Sequence, residues 1–284
     1  MLALVNRNLK IFFKDKTILL FSLVGVLIVL GLYVLFLGNV AFQEFENIPG
    51  TNFLIATWVM SSIIAMIPIN SSLGSLTTML VDKEKGTYDD LILTSISRTQ
   101  IIGGYVLSTF IVTFSLSIIA LIFTEVYIGI IGGPLLSLQG VGEIILLIVL
   151  NTLIATLTLF CVSLFFKNLN AYSLFNSILA TLIGFLTGTL VIIGELPAAF
   201  QVAVKIFPFS HSASLFRKIM MEEPIRIVFL GADSSVINNF RKIMGIDFYM
   251  NGEPISPYIS ILYLAIFGLI SFIVSYVSLQ KKQG

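Results

Sequence analysis

The side chains able to do metal or nucleophilic chemistry are few in this 284-residue sequence: one histidine, His211, one cysteine, Cys161, and 15 carboxylates. A metal centre needs several converging imidazole, thiolate or carboxylate ligands, and His211 has no second histidine to share an ion with. Cys161 lies inside an apolar run, so it reads as a small buried hydrophobe that forms neither a disulfide nor a thiolate site. Glu125 and Glu143 fall near the ends of apolar stretches rather than within them, which leaves no acidic pair to relay protons. The phosphate-loop pattern GxxxxGK[ST] is absent, as are HExxH and GxSxG. These patterns point away from an enzyme and away from nucleotide binding by this chain through a phosphate loop.

The densest collection of functional groups is "VDKEKGTYDDLILTSISRTQ", residues 81–100, with seven charged residues between two long apolar runs. Thr87 followed by Asp90 has the [ST]xx[DE] spacing of a helix N-terminal box, and Gly86 permits a sharp turn before it. Asp89 and Asp90 would then sit in the first turn, where carboxylates favour the helix dipole. A short helix is expected over 87–95. Tyr88, Leu91 and Ile92 follow at i, i+3 and i+4, an apolar face that neighbouring spans need not cover and that could enter a groove on another protein.

The elements that position this segment follow from composition. Hydrophobic residues make up 57% of the sequence and charged ones only 11%, with a mean hydropathy of +1.03. Soluble domains carry about 25% charged residues. Net charge is +1, which gives no field for nucleic acid. The alternation expected of barrel strands is missing, so helices span the bilayer. The chain is read as an all-α integral membrane protein in one domain, 1–284, with six transmembrane helices over 17–38, 53–80, 101–127, 143–165, 171–193 and 258–279. The first apolar run is too long for a signal-peptide core and lacks a small-residue cleavage site, so it is expected to stay as an anchor.

Six spans put both termini on one side. Ten Lys and Arg residues fall on that side, among them Arg7, Lys10, Lys14, Lys83, Lys85 and Arg98, against none in the short loops 39–52 and 128–142. That side is therefore expected to be cytoplasmic, and the 81–100 segment with it. Residues 1–16 are expected to lie on the membrane as an amphipathic helix, with Leu2, Val5, Leu9, Phe12 and Phe13 on one side and Arg7, Lys10 and Lys14 on the other. Leu4 and Ile11 depart from the pattern.

In the second span, Pro68 precedes Asn70, Ser71, Ser72, Gly74, Ser75, Thr77 and Thr78, polar residues expected to face other helices. Gly184 and Gly188 have GxxxG spacing, which permits close helix approach. Residues 194–257 keep apolar side chains such as Phe200, Val202, Val204 and Ile206 beside charges, and five prolines divide them. Short helices that re-enter the outer leaflet, followed by an amphipathic extracellular cap before the last span, are expected there.

"KEKGTYDDLILTSISRTQII" resembles the segment after the second span in type-2 membrane domains of ATP-binding-cassette (ABC) transporters, E-[KR]-E-[KR]-G-T-x-[ED]-x-L-L-x-T-P-[IV]-S-R. Glu84, Lys85, Gly86, Thr87, Leu91, Thr94, Ile96, Ser97 and Arg98 match, and Ser95 stands where that family has proline. A second stretch, "FLTG", "LP" and "FPFSHSASLFR", resembles the family's fifth span and re-entrant region at Gly188, Pro197, Pro208, Ser210, His211 and Arg217. The resemblance covers nearly the whole chain.

It implies the permease subunit of an exporter, two of which, identical or homologous, pair and couple to a separate ABC ATPase subunit. That partner would bind ATP and Mg, and this chain would hold no cofactor. The resemblance assigns ATPase coupling to Gly86, Thr87, Tyr88, Leu91 and Ile92, with Glu84 and Arg98 as polar partners. His211 and Arg217 are expected to make local hydrogen bonds rather than to touch cargo. Amphiphilic cargo, such as a drug, lipid or antimicrobial peptide, is compatible with the apolar spans. A non-transporting sensor or immunity protein on the same scaffold is the alternative.

Overall fold

The computed structural model describes residues 1–16, 50–250 and 252–281. The first expected span, 17–38, lies outside them. Among the described residues five helices are long and apolar enough to cross a membrane. In chain order the helices are α1 (Leu2–Lys14), α2 (Thr51–Glu84), α3 (Thr87–Leu93), α4 (Arg98–Ile130), α5 (Leu138–Ser163) and α6 (Leu169–Leu186). A 3-10 turn (Ile193–Glu195) leads to α7 (Ala198–Ile206), α8 (Pro208–Met220), α9 (Glu222–Val228) and α10 (Ser234–Ile243). Two-residue strands β1 (Tyr249–Met250) and β2 (Glu253–Pro254) pair antiparallel before α11 (Pro257–Lys281).

α2 is the axis of the bundle. It packs against α1, α3, α4, α5, α6, α8 and α9, and its side chains are buried over most of its length. At 1.5 Å per residue its 34 residues span about 51 Å, well beyond a hydrocarbon core of about 30 Å, so its ends must project. Of the polar residues after Pro68, Ser72 and Ser75 meet neighbouring helices as expected, whereas the Thr77 hydroxyl donates to the Leu73 carbonyl within α2. The Ser72 hydroxyl lies 3.2 Å from Thr113 on α4 and 3.4 Å from Thr156 on α5, and Ser75 lies 3.1 Å from Thr109. Asn151 on α5 donates to the Ala65 carbonyl at 3.0 Å, and the Tyr172 hydroxyl on α6 donates to the Leu73 carbonyl at 3.1 Å. Hydroxyls and amides satisfied between helices hold α2, α4, α5 and α6 together where water cannot reach.

Helix starts follow local chemistry. Ser97 and Gln100 form a capping box at α4, Ser137 accepts the Gly140 N–H at α5, and Asn168 accepts the Ala171 N–H at α6. The span expected at 171–193 is corrected at its far end, because α6 stops at Leu186. Gly188 adopts φ +66, and its N–H bonds the Phe185 carbonyl while the Thr189 N–H bonds Gly184. This pair of reversed bonds is a Schellman ending, which needs a left-handed residue that glycine supplies without strain. Gly188 therefore terminates a helix instead of extending a GxxxG face.

α1 also departs from its expected orientation. Leu4, Val5, Asn8 and Phe12 are buried, whereas Leu2 and Phe13 are exposed. A Cβ on Gly104 of α4 would come within 2.7 Å of the Leu4 side chain, so the glycine lets α1 seat close. The misfit residue Leu4 thus marks the packed face, and Asn8 joins it through a 3.1 Å bond to the Ser108 hydroxyl.

The prolines of 194–257 punctuate as expected. Pro197 precedes α7 and Pro208 opens α8, where its missing N–H costs nothing. α8 is buried along most of its length against α2, α5 and α11.

Candidate functional site

At the C-terminal end of α2 the chain turns through Lys85 and Gly86 into α3. Gly86, with φ +78, is the residue that precedes the helix, and no side-chain cap is made there. The expected threonine cap is corrected: Thr87 is the first helical residue, and the Asp89 and Asp90 N–H groups both bond the Gly86 carbonyl. Asp89 and Asp90 do occupy the first turn. α3 ends at Leu93, and the Thr94 hydroxyl donates to the Leu91 carbonyl at 2.6 Å.

The apolar face of α3 is not free. Tyr88, Leu91 and Ile92 are half-buried and pack against the main core of the bundle, with the Tyr88 ring stacked on Tyr105 of α4 at 6.4 Å. The physical reason is reach: α3 hangs between the ends of two long helices, and three large side chains lose water by folding back onto them. Glu84, Lys85, Asp89, Asp90 and Leu93 face outward instead, Leu93 with 85% of its surface exposed. Arg98 is exposed at the first position of α4.

Beneath α3 lies a charged node absent from the sequence expectations. The buried Asp82 carboxylate accepts two hydrogen bonds of 2.7 Å from the Arg7 guanidinium of α1. It also accepts one of 2.5 Å from the Tyr105 hydroxyl. Tyr105 thus touches both the carboxylate that holds α1 and the ring that anchors α3.

The second group of sequence-selected residues gathers near the N-terminal end of α2. Arg217 on α8 is fully buried without a carboxylate partner among the described residues. Its Nε donates to the Ser62 hydroxyl at 2.9 Å, Nη1 to the Gly245 carbonyl at 3.3 Å, and Nη2 to the Thr187 and Gly188 carbonyls at 2.8 and 2.7 Å. Its guanidinium stacks over the Trp58 ring at 5.1 Å, while Trp58 Nε1 donates to the Met244 carbonyl at 2.8 Å. A planar five-donor fork can serve a hydroxyl and three carbonyls from three segments at once, which a lysine cannot. Arg217 therefore clamps the end of α6 and the loop after α10 onto α2.

His211, nearer the start of α8, has Nδ1 3.0 Å from the Ser260 hydroxyl of α11 and Nε2 2.9 Å from the Lys205 carbonyl. Both ring nitrogens are engaged within the protein. The Ser210 hydroxyl donates to the Val204 carbonyl at 2.6 Å, tying α7 to α8. Further along, Asp247 meets Lys218 and Arg241, each at 2.6 Å. Burial pushes the Asp247 carboxyl up, but hydrogen bonds from Arg241 and Lys218 outweigh it and hold the group below its ordinary value.

The ABC-2 family transporter proteins match residues 39–277. This chain belongs to that family. Comparison with curated protein sequences gives no match to an individual protein. The chain is accordingly a multi-pass transport subunit and not an enzyme, and the family relation expected from "KEKGTYDDLILTSISRTQ" holds.

Within this ABC-2 protein the two groups of selected residues stand at opposite ends of α2. Glu84, Gly86, Thr87, Tyr88, Leu91, Ile92 and Arg98 gather around α3. Gly188, Pro197, Pro208, Ser210, His211 and Arg217 surround α7, α8 and the end of α6. The expected local hydrogen bonding of His211 and Arg217 is observed. Sequence reasoning missed Asp82, Tyr105 and Trp58. The available signal for Asp82 was its place as the first charged residue after a long apolar span, since an acid still inside the bundle must find a partner. Nothing in the spacing showed that the partner is Arg7.

Proposed function

We propose that this ABC-2 protein is the permease subunit of an ATP-driven exporter, and that α3 couples it to a separate ATPase. The observation that carries the reading is the two-sidedness of α3. Tyr88, Leu91 and Ile92 fasten the helix to the bundle, while Glu84, Lys85, Asp89, Asp90 and Leu93 present an acidic, apolar-tipped face outward. A helix held on one side and open on the other can take a push from outside and deliver it to α2 and α4, the long helices at its two ends. Gly86 and Thr87 set its angle, and Arg98 at the start of α4 lies beside it.

In this reading the α3 end is cytoplasmic, in keeping with the distribution of Lys and Arg, and both termini lie there. Two permeases, identical or homologous, pair to form the path. α7 and α8 re-enter the outer leaflet before α11. Cargo is an amphiphile, because the helices offer extended apolar surface and hydroxyl-lined contacts, without a charged relay among the described residues.

The test is affinity purification of the full chain in mild detergent, with identification of bound subunits and measurement of ATP hydrolysis. Recovery of an ATPase subunit is expected, and Leu93→Asp is expected to lower that recovery at least tenfold while the melting temperature holds. Recovery of the chain without any ATPase, under conditions that keep membrane complexes together, would overturn the reading and favour a sensor or immunity role.

A further inference from the structure

A second site lies far from α3, between α7, α10 and β1. A cavity of about 320 Å³ is lined by Gly194, Gln201, Lys205, Lys242, Asp247 and Tyr249, among others. That volume falls in the range of about 300–1,000 Å³ usual for small-ligand sites. The backbone of one wall approaches closely at Gly194, where a Cβ would come within 2.7 Å of the Ile243 Cα, so a larger residue would force the walls apart.

The charge of the cavity is one-sided. Asp247 is already compensated, with Lys218 on one carboxylate oxygen and Arg241 on the other. Lys205 and Lys242 have no carboxylate partner among the described residues. Lys205 Nζ donates to the Tyr249 carbonyl at 3.2 Å, which leaves two of its N–H groups for a ligand. Lys242 Nζ sits 5.5 Å from the Tyr249 ring centroid. Two ammonium groups thus flank one tyrosine at the mouth of a small cleft.

On α7 the side chains divide between two directions. Gln201 and Lys205 line the cavity, whereas Phe200, Val202 and Ile206 are between 54 and 65% exposed. An ammonium-lined cleft beside an apolar helix face matches a molecule with an anionic head and an apolar tail. We propose that Lys205 and Lys242 bind the phosphate headgroup of an anionic lipid whose acyl chain runs along the outer face of α7. The assignment stands on charge complementarity and geometry, and it holds whether or not the chain transports anything.

The experiment uses the purified full-length protein in detergent micelles containing phosphatidylglycerol or phosphatidylcholine of equal chain length, with bound lipid read by native mass spectrometry. Phosphatidylglycerol is expected to be retained in preference to phosphatidylcholine. An ammonium near a lipid surface is worth about a fivefold change in binding, so Lys205→Ala/Lys242→Ala should lose about 25-fold. The exposed Lys242→Glu alone should lose more than fivefold at an unchanged melting temperature, and Lys242→Arg should restore binding. Phe200→Ser/Ile206→Ser should weaken lipid retention, and inorganic phosphate should compete poorly. Equal retention by the double lysine variant, or an equal loss in the remote Lys10→Ala, would overturn the assignment. So would displacement by millimolar inorganic phosphate, which would mark a free-phosphate site. A change of oligomeric state in the α7 variants without loss of lipid would assign that face to a second copy instead.

Discussion

Arg7 on α1 and Asp82 at the end of α2, 75 positions apart, are joined by two parallel hydrogen bonds of 2.7 Å. The bond makes the N-terminal helix part of the same mechanical unit as α3, because Tyr105 donates to Asp82 and stacks on Tyr88. Arg7→Ala leaves a buried carboxylate with a single donor and is expected to cost about 2 kcal/mol, less than a fully buried pair because Arg7 is partly solvated. Arg7→Ala/Asp82→Asn should recover part of that loss, since no unpaired charge remains. Thermal unfolding of the four members of this cycle in one detergent measures the coupling.

Arg217 is the most demanding side chain in the bundle. Arg217→Lys keeps the charge but cannot reach Ser62, Gly245, Thr187 and Gly188 together. A loss of at least about 3 kcal/mol is expected, because buried carbonyls are left unpaired. Trp58→Phe removes the bond to the Met244 carbonyl, weakens the stacking and leaves a cavity where a fully buried indole stood, and should cost about 2 kcal/mol. Comparing the melting temperatures of the two variants checks the ranking.

The two leucines of α3 should separate cleanly. Leu91→Ala removes a side chain packed against the core and is expected to destabilise the protein by about 1 kcal/mol. Leu93→Ala removes one that is 85% exposed and should stay within about 0.5 kcal/mol of the parent. Denaturant-dependent loss of helix signal, read side by side, distinguishes them.

Asp247 makes the region after α10 acid-sensitive. Its folded pKa lies below the ordinary value, so the unfolded chain takes up the proton first as pH falls. Its contribution is full above the ordinary carboxylate value of about 3.9 and is lost as pH falls through the folded one. Hydrogen exchange at residues near Lys218, Arg241 and Asp247, taken relative to the intrinsic rate at each pH, should rise below about pH 4. In Asp247→Asn that rise should be absent, with protection already reduced at neutral pH.

Gly188 should tolerate no side chain. A Cβ there would lie 2.5 Å from the Ile193 side chain in a backbone with φ +66, so Gly188→Ala is expected to cost more than about 1 kcal/mol. Gly184→Ala meets the flexible end of Leu190 at 2.6 Å without backbone strain and should cost less. Melting temperatures of the pair decide this.

Apolar runs alone determined the membrane class and the approximate positions of α2, α4, α5 and α11, because spanning a bilayer demands uninterrupted hydrophobic length. Gly86 and the Asp89–Asp90 pair likewise made α3 legible, and "GTYDDL" with "TSISR" carried the family. What remained for the tertiary structure was every question of which way a face points. Hydropathy could not tell that Tyr88, Leu91 and Ile92 turn inward, because lipid, core and partner protein all favour the same residue types. Nor could it show that Gly188 ends α6, since one glycine can serve either a helix contact or a left-handed turn. Arg7 read as a topological charge and Arg217 as part of a motif; their partners lie on distant segments, and only three-dimensional packing could join them.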